Sequence, residues 1–230
     1  MPTTVVGLDE RLEGGIPVGS MVLVAGTAGS LKSSLVYRIL HHQVCTTGRK
    51  AMFVSFEQSQ EQMLAQMARL GLGQQLPAGL NLVDLTEFRT QVAEVDDQPW
   101  LETFLALTQR YVAQSECDLL AIDSLDALYA LAALDNPRAQ LFHFLHGLRA
   151  LNVTTFLISE SPRGSERFGH FGIEEFLSDG IIHLRVREEE RGNHTALRRY
   201  LGVVKMRQTA HDMDYHPLLL VDGRFELVVD

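Results

Sequence analysis

Cysteine is scarce in this chain: Cys45 and Cys117 are the only two among 230 residues. Two thiols cannot staple a small secreted scaffold, so a disulfide framework is excluded and both are expected as reduced, buried side chains. Missing too is any apolar run approaching the roughly 18 to 20 residues needed to cross a bilayer, and the mean hydropathy is +0.01. The opening Met1-Pro2-Thr3-Thr4 lacks the basic start and apolar stretch of a secretory leader. A soluble, cytoplasmic protein with no membrane insertion is therefore expected. An excess of positive charge is absent as well: 20 Lys and Arg against 29 Asp and Glu leave a net charge of −9, which excludes coating of nucleic acid by bulk electrostatics. Repeats, low-complexity tracts and long Pro/Gly/Ser linkers are not found, so residues 1–230 read as a single domain.

What is present is a globular composition, 46% hydrophobic and 21% charged, arranged in a definite rhythm. Short apolar runs alternate with stretches of helical period: strands at residues 21–25, 51–56, 80–85, 119–122 and 154–159, and helices at 32–44, 61–70, 100–113 and 137–151. That order predicts βαβ units around a mostly parallel sheet flanked by helices. The last third changes character, with strands at 181–186, 201–206, 218–221 and 225–229 and no helices between them. Gly192-Asn193 and Asp222-Gly223 supply hairpin turns, so the C-terminal part is expected to be antiparallel.

The first predicted strand runs into Gly26-Thr27-Ala28-Gly29-Ser30-Leu31-Lys32-Ser33-Ser34 and then into a helix. Strand, glycine-bearing loop and helix, in that order, form a phosphate-binding loop: backbone N–H groups curl around an anion and the helix N-terminus adds partial positive charge. Lys32 is placed to reach the terminal phosphates, Ser33 to ligate Mg²⁺ and Ser34 to meet an inner phosphate. Leu31 stands where glycine is usual just before the lysine, which is tolerable with a negative φ. The alternative is a degenerate loop that only caps its helix.

Asp118-Leu119-Leu120-Ala121-Ile122-Asp123 is an apolar strand ending in a carboxylate, about 90 residues after Lys32. That arrangement puts Asp123 beside a loop-bound Mg²⁺. Glu57 closes the second strand at the same edge, where a carboxylate can orient and deprotonate the water that attacks a γ-phosphate. The alternative readings are an ordinary strand end for Asp123 and a surface turn for Glu57.

With these segments in order the chain resembles the single-domain KaiC-like and RadA-like ATPases of the RecA superfamily. Gly7-Leu8-Asp9-Glu10 and residues 14–20 look like the lead-in to that family's first core strand, and Val54-Ser55-Phe56-Glu57 is similar to its glutamate segment. Residues 174–182 and 204–211 look like KaiC motifs. The resemblance implies a RecA-like P-loop fold, ATP and Mg²⁺ as ligands, and slow ATP hydrolysis with Glu57 and Lys32 in catalytic roles. It also implies ring hexamers with ATP at subunit boundaries, where Lys205 and Arg207 reach the γ-phosphate held by a neighbour. Residues two apart on a strand share a face, so both cations can converge on one anion while Met206 packs oppositely. For the Lys205-Met206-Arg207 run, a solvated edge strand is the alternative. His211 is implied to help sense the same phosphate, and Arg199 matches a family arginine near the nucleotide.

Two departures limit the likeness. Gln58 follows Glu57 where the family often has a second acid, and Glu175 and Phe176 occupy the place of the Ser/Thr pair phosphorylated in clock KaiC, so autokinase activity is not expected. A nucleotide-state-dependent regulator with a protein partner is the expected function; the alternatives are a non-hydrolysing scaffold and a RadA-like DNA-repair ATPase. Residues 161–172, directly after a strand, are expected to line a pore or meet a protein, since two Arg and a His set against Glu166 and Glu174 make a feeble footprint for nucleic acid. Seven Lys and Arg against three Glu between residues 185 and 207 form a local basic stripe that would face something anionic. His41, His42 and Cys45 lie within about one helical turn without a second ligand group, so core and surface roles are expected for them. Glu188 to Glu190 read as a solvated hairpin end and Asp96-Asp97 as a loop.

Overall fold

The computed structural model describes the chain except residues 74, 85–99, 133, 162–166, 192–193 and 230. Among the described residues nine strands form one sheet: β1 Met21–Gly26, β2 Ala51–Ser55, β3 Leu80–Asp84, β4 Leu119–Asp123, β5 Thr154–Glu160, β6 Gly180–Arg191, β7 His194–Met206, β8 His216–Val221 and β9 Arg224–Leu227. Their order across the sheet is β3-β2-β4-β5-β1-β6-β7-β8-β9. The first six positions in that order are parallel and the rest antiparallel, as the change of rhythm along the sequence predicts. The central strands are buried on both faces, which is why they read as unbroken apolar runs.

The helices are α1 Lys32–Thr47, α2 Gln60–Arg69, α3 Trp100–Ser115, α4 Leu125–Ala132, α5 Pro137–Arg149 and the short α6 Glu174–Leu177. Local chemistry starts several of them. Ser59 and Gln62 form a reciprocal capping box at α2, and Asn136 caps α5 with Pro137 in its first turn. Gly71, with φ +71, follows α2 in the left-handed conformation. Helices α1 and α2 cover one face of the sheet, where Leu35, Val36, Ile39, Met63 and Met67 pack on Val22, Val24, Phe53 and Ile158. The opposite face carries α3, α4 and α5 through Phe104, Leu128, Leu141, Phe144 and Leu148 on Leu23, Val54, Ile122 and Leu157. The sheet's last hairpin belongs to the α1 layer through Leu218, Phe225 and Leu227. No helix among the described residues is long and apolar enough to cross a membrane.

Some expectations are corrected. Cys45 is exposed and only Cys117 is buried: Cys45 sits on the outer side of α1, past the last buried position, Val44. Helix α4 and the short α6 were not foreseen. Glu189 is half-buried rather than solvated, because cross-strand pairing on the β6–β7 arm sets it beside Arg198 at 3.0 Å and the Tyr200 hydroxyl. That arm is also far longer than expected, and everything after Leu184 extends beyond the end of β1. Asp222 and Gly223 make the expected turn, both with positive φ; the turn at Gly192-Asn193, the Asp96-Asp97 loop and residues 162–166 lie outside the described residues.

Candidate phosphate site

Gly26 ends β1 and has to be glycine: a Cβ there would stand 2.4 Å from the carbonyl oxygen of Leu184 on β6. Thr27, Ala28 and Gly29 then turn the chain outward, with Gly29 at φ +78 and Ser30 N–H bonded to Thr27 O at 3.3 Å. Leu31 precedes α1 with φ 73. The negative φ expected of it is overturned: the position keeps the left-handed backbone for which glycine is usual, at a cost of about 1–2 kcal/mol. Its side chain is held against the α1-side core. Lys32 folds back and donates to Gly26 O at 2.9 Å and Thr27 O at 3.1 Å. Burial lowers its pKa, while Glu160, Asp123, Glu57 and Asp126 oppose that shift. Ser34 is buried in the first turn of α1.

Strand alternation brings the acids to the loop. Leu119 and Ala121 face the α1 layer, as does Phe53, so Asp123 at the end of β4 and Glu57 just past β2 return to that same side. Asp123 is buried and its carboxyl is pushed up to about 6 by burial, against a hydrogen bond from Ser33 and the charge of Lys32; Glu57 pushes it further up. Glu57 is exposed and accepts a hydrogen bond from Ser124 Oγ at 2.5 Å. Arg199, reaching from β7, donates to Gly29 O at 3.0 Å, which brings it to the loop.

Lys205, Arg207 and His211 are elsewhere. The register of β6 with β7 steps from Ile181–Lys205 to Ile182–Val203, a bulge that leaves Val204 out and turns Lys205 toward the α5 and α6 side. Lys205 Nζ donates to the carbonyls of Ser178 at 2.7 Å and Glu175 at 2.9 Å. Arg207 pairs with Asp179 at 3.2 Å, while Met206 is buried in the α1 layer. Asp179 also accepts from Met21 N–H at 3.0 Å and pairs with Arg149 at 2.9 Å; its carboxyl, raised by burial, is held below the usual range by those donors. All of this lies at the opening end of β1, the full strand away from Gly26. His211 follows on a segment whose neighbours Thr209 and Asp212 bond to Leu12 O and to Arg11.

Three residues that the sequence reading passed over belong to this edge. Ser124 caps α4 through Ala127 N–H while donating to Glu57. Asp126 accepts from Ser159 Oγ at 3.0 Å and Glu160 N–H at 2.7 Å. Glu160 ends β5 beside Gly26. The residue after a strand's terminal acid, and the next acid along, were the available signals.

The residues at this edge fit a magnesium triphosphate by their own chemistry. Gly26 leaves a cradle that a Cβ would fill, Ser30 Oγ is buried without a partner, and the Ser33 hydroxyl and Asp123 carboxylate form a pair of hard oxygen donors. Among the described residues no group of three or more His, Cys, Asp or Glu side chains is placed to hold a metal, and His41, His42 and Cys45 form none.

The chain is similar to the circadian clock oscillator protein KaiC of Prochlorococcus marinus subsp. pastoris, 27% identical over 230 residues, covering 96% of this chain and 43% of that protein. It is similar to KaiC 1 of Synechocystis, 29% identical with 96% and 43% covered. The chain thus spans less than half the length of these relatives. In structure it is similar to a KaiC-like protein of the archaeon Pyrococcus horikoshii, with a TM-score of 0.81, 24% identity and coverage of 100% of this chain and 98% of that one; that likeness establishes the RecA-like fold. The family description "ATPase: KaiC" matches residues 1–227, nearly the whole chain, and so places this chain in the KaiC ATPase family.

Proposed function

We propose that residues 1–230 form one cytoplasmic Mg²⁺-dependent ATPase domain that hydrolyses ATP slowly and uses its nucleotide state to control binding of a protein partner. The observation that carries this reading is the shared face at the strand ends, where Lys32, Ser33, Asp123 and Glu57 surround one glycine-bearing loop. Lys32 exchanges the carbonyls of Gly26 and Thr27 for phosphate oxygens, a swap that its buried ammonium favours because the anion neutralises it. Ser33 and Asp123 hold the metal, which when bound shields phosphate charge. Glu57, oriented by Ser124, takes the proton of the water that attacks in line.

Self-assembly as a homo-hexamer belongs to the same proposal. Six residues of β1 put about 20 Å between Asp179 and the loop, so any phosphate that Lys205 and Arg207 meet is held by another copy. His211 and Arg199 complete the shared site, Arg199 from within the chain. Phe176, beside Lys205 and 70% exposed, supplies apolar area for such a contact. Nucleic acid is not part of this reading, given the net charge of −9.

Phosphate release and nucleotide binding, measured together, test the proposal. Lys32→Ala is expected to abolish binding, and Glu57→Gln to keep binding while removing turnover. Tight binding by the wild-type chain without phosphate release would replace the enzyme with a nucleotide-dependent scaffold.

A further inference from the structure

One acidic side chain at the loop has no part in that scheme. Glu160 ends β5, the strand that lies between the Asp123 strand and the Gly26 strand, and its Cα is the register partner of Gly26 itself. Alternation along β5 fixes where it points. Phe156 and Ile158 enter the α1 layer and Leu157 the opposite one, so Glu160 returns to the side of Lys32, Asp123 and Glu57. Its backbone is clamped on both flanks: Glu160 N–H donates to Asp126 at 2.7 Å, and Ser161 N–H to Gly26 O at 3.1 Å. The carboxylate itself is exposed and, among the described residues, forms no ion pair.

The neighbouring acids differ from it. Glu57 is tied to Ser124, and Asp123 is buried against Ser33. Glu160 alone of the three carries an uncommitted negative charge, and it is the carboxylate that acts most strongly on Lys32. A bare triphosphate entering beside Gly26 takes Lys32 as its counter-ion and brings its own negative charge toward Glu160. A divalent cation on the phosphates removes most of that repulsion.

We propose that Glu160 makes nucleotide capture conditional on magnesium, by opposing metal-free ATP at the loop and tolerating the magnesium complex. The inference rests on the Mg-ATP reading above and names a specificity-determining residue within it.

Equilibrium binding of ATP and of ADP to the full chain, once with excess magnesium and once with a chelator, tests it. Relative to wild type, Glu160→Gln is expected to bind metal-free ATP roughly tenfold tighter, the scale of removing one nearby like charge, with the magnesium complex changed by less than about threefold. The ratio of affinities with and without metal therefore contracts about tenfold, and the change for ADP is smaller. Glu160→Asp keeps the charge and is expected to keep the wild-type ratio. An unchanged ratio in Glu160→Gln, or equal contraction in Glu160→Asp, overturns the assignment. Failure of the wild-type chain to bind nucleotide in either condition removes the ATPase reading and this inference together, whereas binding with an unaltered ratio removes only the role of Glu160.

Discussion

The Ser124 hydroxyl donates to Glu57 Oε1 at 2.5 Å and accepts from Ala127 N–H, so one side chain fastens the end of β4, the start of α4 and the acid beyond β2. A base that must meet a water in line gains from being held in one orientation. Ser124→Ala is expected to leave ATP binding within about twofold and to lower turnover about tenfold, less than the loss in Glu57→Gln. Phosphate release at saturating Mg-ATP decides; undiminished turnover in Ser124→Ala would detach it from the reaction.

Leu31 at φ 73 sets two substitutions against each other. A β-branched side chain fits the left-handed region worst, so Leu31→Val is expected to lose about 1–2 kcal/mol of stability. Leu31→Gly relieves strain but gives up packing and adds freedom to the unfolded chain, and should stay within about 1 kcal/mol of wild type. Urea midpoints separate the cases, and equal values for Val and Gly would contradict the account.

Gly26→Ala introduces a methyl 2.4 Å from Leu184 O and 2.9 Å from Ser30 Oγ. Backbone has to give way on one side, and the loop is the side that can move. Nucleotide affinity is expected to fall at least tenfold, as the overpacking of a tight site implies. Calorimetry with Mg-ATP checks this, and wild-type affinity would mean that the cradle is not formed by this glycine.

Burial pushes the His183 imidazole down to about 4, with Arg185 adding to the effect, against an ordinary value of 6.5. The ring faces the Tyr215 hydroxyl at 2.8 Å and the edge of Phe168. Between those two values the unfolded chain binds a proton that the folded chain refuses, so stability falls as pH drops through the window, by at most about 3 kcal/mol. His183→Gln removes this contribution. Its stability should vary less steeply than wild type from pH 6.5 down to about 4, and parallel curves would refute the assignment.

A mixing experiment addresses action between copies. Glu57→Gln and Arg207→Ala chains are each expected to be inactive alone. Combined before assembly, they create boundaries where an intact Glu57 meets an intact Arg207, and a fraction of wild-type turnover should return. Absence of any recovery, in mixtures shown to co-assemble, would confine Arg207 to its pairing with Asp179.

Much of this architecture is legible because buried parallel strands leave continuous apolar runs and because Gly26, Lys32, Ser33 and Asp123 stand at positions that their backbone chemistry dictates. What escapes is set by three dimensions. The sign of φ at Leu31 is not written in leucine, and only its place in a loop that usually carries glycine hints at it. Glu160 lies one residue past the predicted strand end, and its meaning comes from pairing with Gly26, 134 positions away in sequence by subtraction of the two register partners. Helix α4 begins two residues after β4, and Leu125, Leu128 and Tyr129 are all buried, so its apolar character blends with the strand before it. The helical pattern of α1 predicts burial for Cys45, but α1 outlasts the sheet that covers it.

Strand β7 holds Arg199 on the carbonyl of Gly29 and, six residues later, Lys205 on the carbonyls that close α6. Between these two points Leu201 and Val203 are buried, and the bulge at Val204 turns the strand just before Lys205. One strand, about 20 Å from Arg199 to Lys205, therefore has one end on the glycine-bearing loop and the other beside Asp179 and α6. A shift at the loop reaches Lys205 only through that bulge, so in the proposed ring the backbone at Val204 would decide how much of one site's posture its neighbour feels.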